Sequence, residues 1–594
     1  MSNRLYTTIP APKVPRNMFD RSAPNSLTMP FQRVCPSLLE EIIPGDLYRV
    51  GTETFARLQP LIAPVMNNMK ISQHFFYVPL RTINKHFSEF MWNNKNGDYS
   101  EVLPYTHTNV LYGLVSDLAN DGKFALAAEC IRLFDFIGLP FRYSSKTTVS
   151  SFVGSWLSDS YNSKVSAAEL RVNLAPFIAY TKVWSEYFRD ENVSDDPFDV
   201  FEDSTGYDLF ELTGDCDSSV SIDYEAFATA IFQLRRRAWQ HDRFTSSLPF
   251  AQRGPDVLLP VSGSAPVVYD DGYLIRQSVD PNAPKVQVVT ADGTPPVETK
   301  LNLRTGGSAG SSPNFYNPLN QFAGSTSQTA RQTAAIDPNG SLYADFDNAT
   351  LTTTINEFRR AERLERWYEN SARGGVRPNE ATLAHFGVVT PDASLQRAQF
   401  LGGSMQPLVI SEVAQTSEST ATSPQGTLAG KGTSYKGTRA FRAFFSEHGF
   451  VFCFTSALVR ANYWQGLPKV FSRMTRDEYY WPEFANLGEE PVYTKELYLD
   501  STVKEDEVFG YVPRYSDYKS NTGTVHGDMR SSLAFWTQTR EFANKPVLNE
   551  EFLFGDPSLS PFAVQSLYSD PIICTIQFTI KASRLMPFYG VPTI

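Results

Sequence analysis

The sequence predicts a mainly β fold, and three observations lead to this class. Of the 594 residues, 13% are aromatic, with 28 Tyr and 43 Phe, and such residues favour strands and buried contact surfaces. Glycine and proline interrupt the stretch Ser371–Ser417 every few residues, which excludes a long helix through it. Near the C-terminus, the apolar residues Cys574, Ile576, Phe578 and Ile580 alternate with polar ones, as in a half-buried antiparallel strand.

Further strands are predicted along the chain. Leu38–Val50 holds a Pro-Gly-Asp turn between apolar segments and indicates a hairpin or the start of a strand. Lys70–Leu80 is predicted to be a strand that ends at its proline, and Phe450–Phe454 an aromatic strand buried on both faces. Within the glycine-rich stretch, Phe386–Val389 and Leu408–Val413 are predicted to be brief strands or tight connections.

Four regions are predicted to be helical: Phe124–Phe136, Ala167–Asp190, Glu225–Arg243 and Ile355–Tyr368. In the second, we expect an interruption at Pro176, after which an apolar stripe follows helical spacing through Tyr180, Val183, Trp184 and Tyr187. In the fourth, apolar residues share one side and the arginines Arg359, Arg360, Arg363 and Arg366 share the other. The mainly β fold therefore carries a few helices.

Two segments differ from the rest of the expected single domain, residues 1–594. Met1–Pro30 holds five prolines and little periodicity, which indicates an extended arm lying on a neighbouring surface or a frayed terminus. Val261–Thr350 is rich in Gly, Ser, Thr, Pro, Asn and Gln, and we expect a surface insertion with partial order. Aromatic residues that could give it local packing are Phe315, Tyr316, Phe322, Tyr343 and Phe346.

Charge and cysteine usage limit the possible functions. With 53 basic and 64 acidic residues the net charge is −11, so any contact with nucleic acid is expected through local patches. The five cysteines show no CxxC pairing, which argues against a zinc site and a disulfide framework. Cys453 and Cys574 lie in apolar strand patterns, which favours buried, reduced thiols there. No secretion signal and no apolar run of about 18 residues are seen, so we expect no membrane insertion and a reducing cytoplasm.

Motif analysis favours no catalytic residue, no cofactor and no metal. Gly426–Thr433 resembles a phosphate-binding loop, but three residues instead of four separate its glycines and Gly432 follows Lys431. A glycine-rich turn is the better prediction there. No GxSxG, HExxH or EF-hand pattern occurs, and no carboxylate pair stands out among the acidic residues. We therefore expect a protein that is not an enzyme.

Several sequence blocks, in order along the chain, resemble the major capsid protein of the microviruses, most closely the gokushovirus branch. They include His74–Arg81, Ala179–Asn192, His241–Gly254, Ser371–Gly375, His385–Ala393 (HFGVVTPDA), Leu401–Ser404, Glu412–Ser417, Ser423–Gly432, Tyr479–Tyr498 and Phe509–Lys519. The likeness covers most of the chain except about residues 261–350 and the last fifty or so.

The resemblance implies an eight-stranded antiparallel jelly roll of the viral capsid type with long interstrand insertions. It also implies a T=1 icosahedral shell of identical subunits around circular single-stranded DNA, found in the virion and assembled in the host bacterial cytoplasm. The implied partners are the packaged DNA, a small basic DNA-associated protein, a DNA pilot protein, a scaffolding protein during assembly and a receptor on the bacterial host surface.

Candidate functional residues follow from charge and from this resemblance. Arg235, Arg236 and Arg237 could bind DNA phosphates bidentately, or else form ion pairs or subunit contacts. The arginine side of Ile355–Tyr368 is more typical of a solvated helix face, because Glu362 and Arg366 lie one turn apart. The aromatic residues of the insertion are candidates for receptor contact or for contact at a three-fold protrusion.

An alternative function comes from a different class. A β-sandwich that binds carbohydrate, or a domain associated with a hydrolase, would also be aromatic-rich and lightly charged. Such a protein would be a monomer near the chain mass of 66.6 kDa. The two hypotheses differ in whether the chain forms particles.

Overall fold

The computed structural model describes residues 15–92, 102–219, 224–257, 262–264, 267–269, 342–344, 350–352, 354–375, 377–414, 428–564, 566 and 568–589. The chain separates into two compact units, Met1–Gly254 with Trp367–Ile594, and Pro255–Arg366. Among the described residues, no helix is long and apolar enough to cross a bilayer.

The strands of the described ranges are numbered in chain order. They are β1 Arg16–Asp20, β2 Ala23–Met29, β3 Cys35–Ile42, β4 Leu47–Leu58, β5 Met69–Pro79, β6 Tyr105–His107, β7 Arg171–Asn173, β8 Ser262–Ser264, β9 Val267–Tyr269, β10 Leu342–Ala344, β11 Thr350–Thr352, β12 Gln399–Pro407, β13 Val409–Ala414, β14 Leu428–Phe444, β15 Gly449–Val459, β16 Asn462–Tyr463, β17 Glu489–Tyr493, β18 Val508–Pro513, β19 Gly523–Thr524 and β20 Ile572–Leu585.

The α-helices of the same ranges are numbered likewise. They are α1 Phe87–Trp92, α2 Thr108–Asn120, α3 Phe124–Ile137, α4 Val149–Leu157, α5 Ser160–Ser166, α6 Ala175–Tyr187, α7 Pro197–Thr205, α8 Cys216–Ser219, α9 Tyr224–Phe227, α10 Ile355–Gly374, α11 Pro378–Phe386, α12 Lys469–Ser472, α13 Ser516–Lys519 and α14 Glu550–Phe554. A π-helical turn at Ala228–Phe232 follows α9.

Two antiparallel sheets form the centre of the first unit. The first sheet has the order β1-β20-β4-β14-β13, with β2 also paired to β20, and the second has the order β12-β5-β15-β3. In the first sheet, β4 and β20 pair without interruption from Ile572 opposite Leu58 to Ser583 opposite Leu47. Their side chains alternate between buried and more exposed, so one face of this sheet packs on the core.

The two sheets pack face to face as a β-sandwich. Between them, the rings of Phe75 and Phe441 lie 5.4 Å apart, and Thr52 donates to Gln73 at 3.3 Å. The other face of the second sheet is covered by α6, where the Tyr180 ring lies 5.6 Å from Phe454. Because both faces are covered, every residue of β15 is buried. The prediction of an aromatic strand buried on both faces is thereby confirmed.

Other predicted strands match the structure. The alternation around Cys574 lies in β20, the Lys70–Leu80 segment in β5 and the Leu408–Val413 segment in β13. The Pro-Gly-Asp turn joins β3 to β4, but these strands belong to different sheets. The turn therefore carries the chain from one sheet to the other. The predicted start of a strand is confirmed, and the alternative of a hairpin is wrong.

Two predicted helices are confirmed and a third is shifted. The segment Phe124–Phe136 lies in α3, and the segment starting at Ile355 lies in α10, which continues to Gly374. Pro176 lies in the first turn of α6 instead of interrupting a helix, because its missing N–H costs nothing there. The predicted stripe after Pro176 is confirmed, since Tyr180, Val183 and Trp184 are buried.

The prediction of a helix over Glu225–Arg243 is wrong beyond Phe232. Gln233 adopts extended backbone angles (φ −78°, ψ 130°) and ends the helical turn. The chain then runs beside residues 32–34, where Val34 donates to the Arg235 carbonyl and Arg237 donates to the Gln32 carbonyl, each at 3.0 Å. The apolar spacing that indicated a helix arises because both the π-helical turn and Leu234 are buried.

The glycine-rich turn predicted over Gly426–Thr433 is also wrong from Leu428 onward. These residues belong to β14, a strand that extends to Phe444, while Gly426 and Thr427 lie outside the described residues. Glycine is needed here because the strand passes close to its neighbours. A Cβ on Gly430 would lie 2.9 Å from the Ala63 carbonyl oxygen.

The Phe386–Val389 segment is a tight connection. Phe386 ends α11, and Gly387 adopts a left-handed conformation (φ 68°) whose N–H donates to the Leu383 carbonyl at 3.0 Å. Glycine tolerates this conformation without the steric cost of a Cβ. The alternative of a brief strand at this place is therefore wrong.

Part of the predicted N-terminal arm is described. Residues 16–29 are extended and form β1 and β2, which pair with β20 of the same chain. Residues 1–14 lie outside the described residues. In the second unit, β8 pairs with β11 and β9 with β10, and most of the predicted insertion lies outside the described residues.

Candidate functional site and surfaces

The three consecutive arginines lie on extended backbone, so their side chains alternate in direction. Arg235 is 7% exposed and donates to the carbonyls of Thr229 and Ala230 at 2.6 and 2.5 Å. Its guanidinium lies 4.8 Å from the centre of the Trp184 ring. Burial lowers the pKa of Arg235 to about 10. This side chain therefore holds the subunit's own backbone and faces away from solvent.

Arg237 points to the same side as Arg235. It donates to the Ser72 hydroxyl at 2.7 Å and lies 5.1 Å from the Phe188 ring, on the helix-covered face of the second sheet. Burial lowers its pKa to about 10 as well. Arg236 points the opposite way, into a pocket beside α3. Of the three predicted DNA-contacting arginines, the structure thus leaves Arg236 in the position most accessible to a ligand.

His74 packs beside Arg237, and we expect its protonation to affect the stability of the folded subunit. Burial, and then the charge of Arg237, lower its pKa from 6.5 to about 4. Between these values the unfolded chain binds a proton that the folded chain does not. Stability from neutral His74 is therefore fully present above pH 6.5 and is lost as the pH falls towards 4.

We expect His74→Gln to lose less stability than the original chain between pH 7 and pH 4.5. The difference should be roughly 1–3 kcal/mol, since each pKa unit corresponds to about 1.4 kcal/mol. Urea unfolding of the unassembled subunit at both pH values measures it. Asp135, whose pKa burial raises to about 6, titrates with the opposite sign but is present in both proteins. Equal pH slopes for the two proteins would contradict the prediction.

The pocket beside Arg236 contains a network of buried charges. Arg33 donates to Asp556 at 2.5 Å and to Glu129 at 3.1 Å, and Arg132 lies 3.4 Å from Asp570. These groups come from the β2–β3 connection, α3 and the segment before β20. Buried charges are tolerated when they are paired in this way. No local sequence pattern indicates this network, because its members are far apart in the chain.

A second feature is an apolar patch on α12 and the segment that follows it. Its members are Val470, Phe471, Met474, Tyr479, Tyr480, Trp481, Phe484 and Leu487. Met474 is 81% exposed and Phe471 is 67% exposed. Large uncovered apolar surfaces of this kind mark places where another protein binds. The aromatic run Tyr479–Phe484 is the sequence signal that could have predicted it.

The backbone that presents this apolar patch is held in place. Arg473 forms an ion pair with Asp517, and its guanidinium lies 4.4 Å from the Tyr518 ring. Glu478 and Thr475 cap the following turn, and the Trp481 indole donates to the Arg476 carbonyl at 3.0 Å. Because these contacts already order the segment, little further conformational entropy is lost when a partner covers its apolar side chains.

One cluster among the described residues has the side-chain types of a divalent-cation site. His107 Nδ1 lies 2.7 Å from Asp217 and 3.9 Å from Asp215. Asp217 also accepts from the Thr106 hydroxyl at 2.7 Å and from the His107 backbone N–H at 3.1 Å. These hydrogen bonds explain the position of the Asp217 carboxylate without an ion.

The cysteines are buried and free: Cys35, Cys130, Cys216, Cys453 and Cys574. Burial raises the pKa of each thiol above its usual range. A thiol that stays protonated is a poor nucleophile and a poor metal ligand. The prediction of buried, reduced thiols at Cys453 and Cys574 is confirmed.

The remaining candidate residues can be placed only in part. Tyr343 lies in β10, while Phe315, Tyr316, Phe322 and Phe346 lie outside the described residues. The predicted arginine row Arg359, Arg360, Arg363 and Arg366 is exposed along α10. The aromatic residues remain predictions for contact with a receptor or at a three-fold protrusion. The exposure of the arginine row agrees with the solvated helix face expected for it.

A β-sandwich subunit with an ordered, exposed apolar patch has features expected of a structural protein that assembles with further copies. Comparison with known proteins identifies the family within this class. The family model described as capsid protein (F protein) matches residues 7–109 and 148–594. The chain belongs to this capsid protein family.

Individual relatives agree with the family assignment. The chain is 31% identical to the capsid protein VP1 of Chlamydia phage 1, over 100% of this chain and 98% of the relative. It is 31% identical to the capsid protein VP1 of Bdellovibrio phage phiMH2K, over 99% and 97%. For the capsid protein VP1 of Spiroplasma virus 4 the identity is 27%, over 94% and 92%. The resemblance to gokushovirus-type microvirus capsid proteins is confirmed.

The family fixes the general role. The chain is a structural major capsid protein, so it is a component of the virion and assembles with further copies into a shell. This structural role favours a non-enzymatic protein. It also decides against the carbohydrate-binding alternative.

Proposed function

We propose that copies of this chain assemble into a T=1 icosahedral shell that encloses circular single-stranded DNA. The observation that carries the proposal is the ordered apolar patch around Met474, which the isolated subunit leaves exposed. In a closed shell such a patch meets a different surface of the next copy, and rotation closes the contacts. Many moderate interfaces then add up to a stable particle.

We infer that the sandwich is an eight-stranded jelly roll of the viral capsid type. The arrangement that supports this consists of four strands in each sheet: β12, β5, β15 and β3 in one, and β20, β4, β14 and β13 in the other. β1 and β2 extend the first sheet at β20. The chain between β5 and β12 carries α1 to α11 outside the two sheets. A jelly roll limits exposed strand edges, which suits a wall element.

DNA contact is proposed through local groups, because the net charge of the chain is −11. Arg236 is the candidate among the three arginines, since Arg235 and Arg237 are used inside the subunit. A small basic protein, a DNA pilot protein and a scaffolding protein are proposed as further partners, and the host cytoplasm is proposed as the site of assembly.

Residues 261–350 are proposed to contact the host. Unchanged adsorption of particles lacking Gly306–Gly340 would argue against this contact.

Electron microscopy of particles purified from cells that produce the full chain, together with its partners, tests the shell. We expect closed icosahedral particles with one copy of the chain per asymmetric unit. The DNA inside should resist nuclease until the shell is disrupted, and should then be digested by a nuclease specific for single strands. Open tubes, shells with several copies per asymmetric unit, or protected double-stranded DNA would each overturn the proposal.

A further inference from the structure

The pocket beside Arg236 has the size and lining of a ligand site. It encloses about 380 Å³, within the range of pockets that hold small organic molecules. One part of its wall is apolar and includes Phe31, Leu559 and Tyr568. The other part carries the guanidinium groups of Arg33, Arg132 and Arg236 and the carboxylates of Glu129 and Asp556. A lining that combines apolar side chains with a few charged groups fits a ligand that has both an apolar ring face and polar groups.

Glu129 supplies an acceptor that the folded chain does not use. The residue is 8% exposed, and its Oε1 accepts from Arg33 at 3.1 Å. Its other oxygen, Oε2, is buried and has no hydrogen-bond partner within the described part of the chain. Leaving a buried acceptor unpaired is costly. Oε2 has almost no accessible surface, so a ligand N–H that draws the carboxylate towards the pocket would be favoured.

Arg236 supplies the opposite function at the same pocket. It is half-buried, and within the described ranges no hydrogen bond or ion pair engages its guanidinium, whereas Arg33 is paired to Asp556 and Glu129. A guanidinium that is free to use its planar fork is suited to a phosphate. The pocket therefore holds a guanidinium that lies near Asp556 without a hydrogen bond to it, and a carboxylate oxygen without a hydrogen-bond partner, among the described residues.

We propose that this pocket binds one nucleotide of single-stranded DNA, with the base inside and the 5′-phosphate on Arg236. An exocyclic amino group, such as that of cytosine, donates to Glu129 Oε2, a pairing that carboxylates make with bases. The base packs against the aromatic and apolar wall, as bases do in single-strand binding proteins. The inference rests on the proposed function, because it assumes that single-stranded DNA is the enclosed genome.

The pairing predicts a preference between bases. Thymine has a carbonyl where cytosine has its amino group, and a carbonyl oxygen facing Glu129 Oε2 would be repelled. Cytosine tetranucleotides should therefore bind the purified full-length subunit about tenfold more tightly than thymine tetranucleotides. Fluorescence anisotropy with 5′-labelled tetranucleotides measures both affinities.

Two variants separate the roles of the pocket. Glu129→Gln offers an amide N–H to thymine, so the preference for cytosine should shrink or reverse. Arg236→Gln should weaken both tetranucleotides and reduce the slope of log affinity against log salt by about one. Arg439→Gln, which removes an exposed arginine from β14, is the matched control and should change neither affinity.

The outcomes are distinct from those that test the shell. Equal affinities for the two tetranucleotides, together with no effect of Arg236→Gln on either affinity, would overturn the proposed nucleotide site. Particles with packaged DNA would still form in that case. Polypeptide density in this pocket in a particle map would overturn it as well. If Glu129→Gln does not fold, the Arg236→Gln result decides alone, because that side chain is half-buried and unpaired. Absence of particles with DNA would instead count against the proposed function.

Discussion

Replacing Met474 and Phe471 together by glutamate is expected to reduce particle formation strongly while leaving the subunit folded. Both side chains are mostly solvent-exposed in the subunit, at 81% and 67%, so the change costs little stability there. In a shell contact, however, two carboxylates would have to lose their hydration against an apolar surface. Because every copy carries the defect, the losses multiply around the particle, and particle yield should fall by about tenfold or more.

Sucrose-gradient sedimentation of cell lysates measures this yield, and size exclusion with circular dichroism checks the folding of the unassembled subunit. The matched control is the double change Met474→Leu with Phe471→Leu, which keeps the surface apolar and should assemble normally. Normal particle yield from the glutamate variant would show that this apolar patch does not lie in a subunit contact. A double leucine variant that fails to assemble would point to a requirement for shape beyond apolar character.

Glu496→Ala is expected to destabilise the subunit by about 3–5 kcal/mol. Glu496 and Arg243 form an ion pair in which the side chains are 1% and 6% exposed. Arg243 also donates to the Ser516 hydroxyl at 3.0 Å, so it cannot turn outward without losing a second contact. Removing Glu496 therefore leaves a buried positive charge without its counter-ion. Urea unfolding of the unassembled subunit measures the loss.

A neighbouring exposed pair provides the control. Lys495 lies 3.5 Å from Glu505, whose side chain is 90% exposed, and Glu505→Ala should cost less than about 1 kcal/mol. Replacing both buried partners, as in Arg243→Met with Glu496→Leu, should recover most of the lost stability, because no unpaired charge remains. If Glu496→Ala and Glu505→Ala cost the same, burial does not control the strength of this pair.

Local patterns were sufficient where one physical cause acts along the chain. Alternation predicted β20 because one face of the first sheet is buried and the other is not. A continuous apolar run predicted β15 because both faces of the second sheet are covered. The stripe after Pro176 predicted α6 because the helix covers the second sheet along one side. In each case the spacing of the apolar residues follows directly from which faces of the element are buried.

Local patterns failed where a distant segment decides the conformation. The Glu225–Arg243 segment has helical spacing, but beyond Phe232 it becomes extended and hydrogen-bonds to residues 32–34. The glycines at 430 and 432 indicate a turn in isolation, yet they lie in β14 because that strand passes close to Ala63 and Leu58. Neither partner can be inferred from the neighbouring sequence.

By itself, the sequence determined the mainly β class, the capsid family and the existence of an arginine cluster, because composition, ordered motifs and charge are properties of the chain. Only the tertiary structure decided what each arginine does. Extended backbone turns Arg235 and Arg237 into the subunit and Arg236 towards the pocket, where Arg33 and Glu129 arrive from other elements. The same holds for the apolar patch around Met474, since exposure depends on what the folded chain fails to cover.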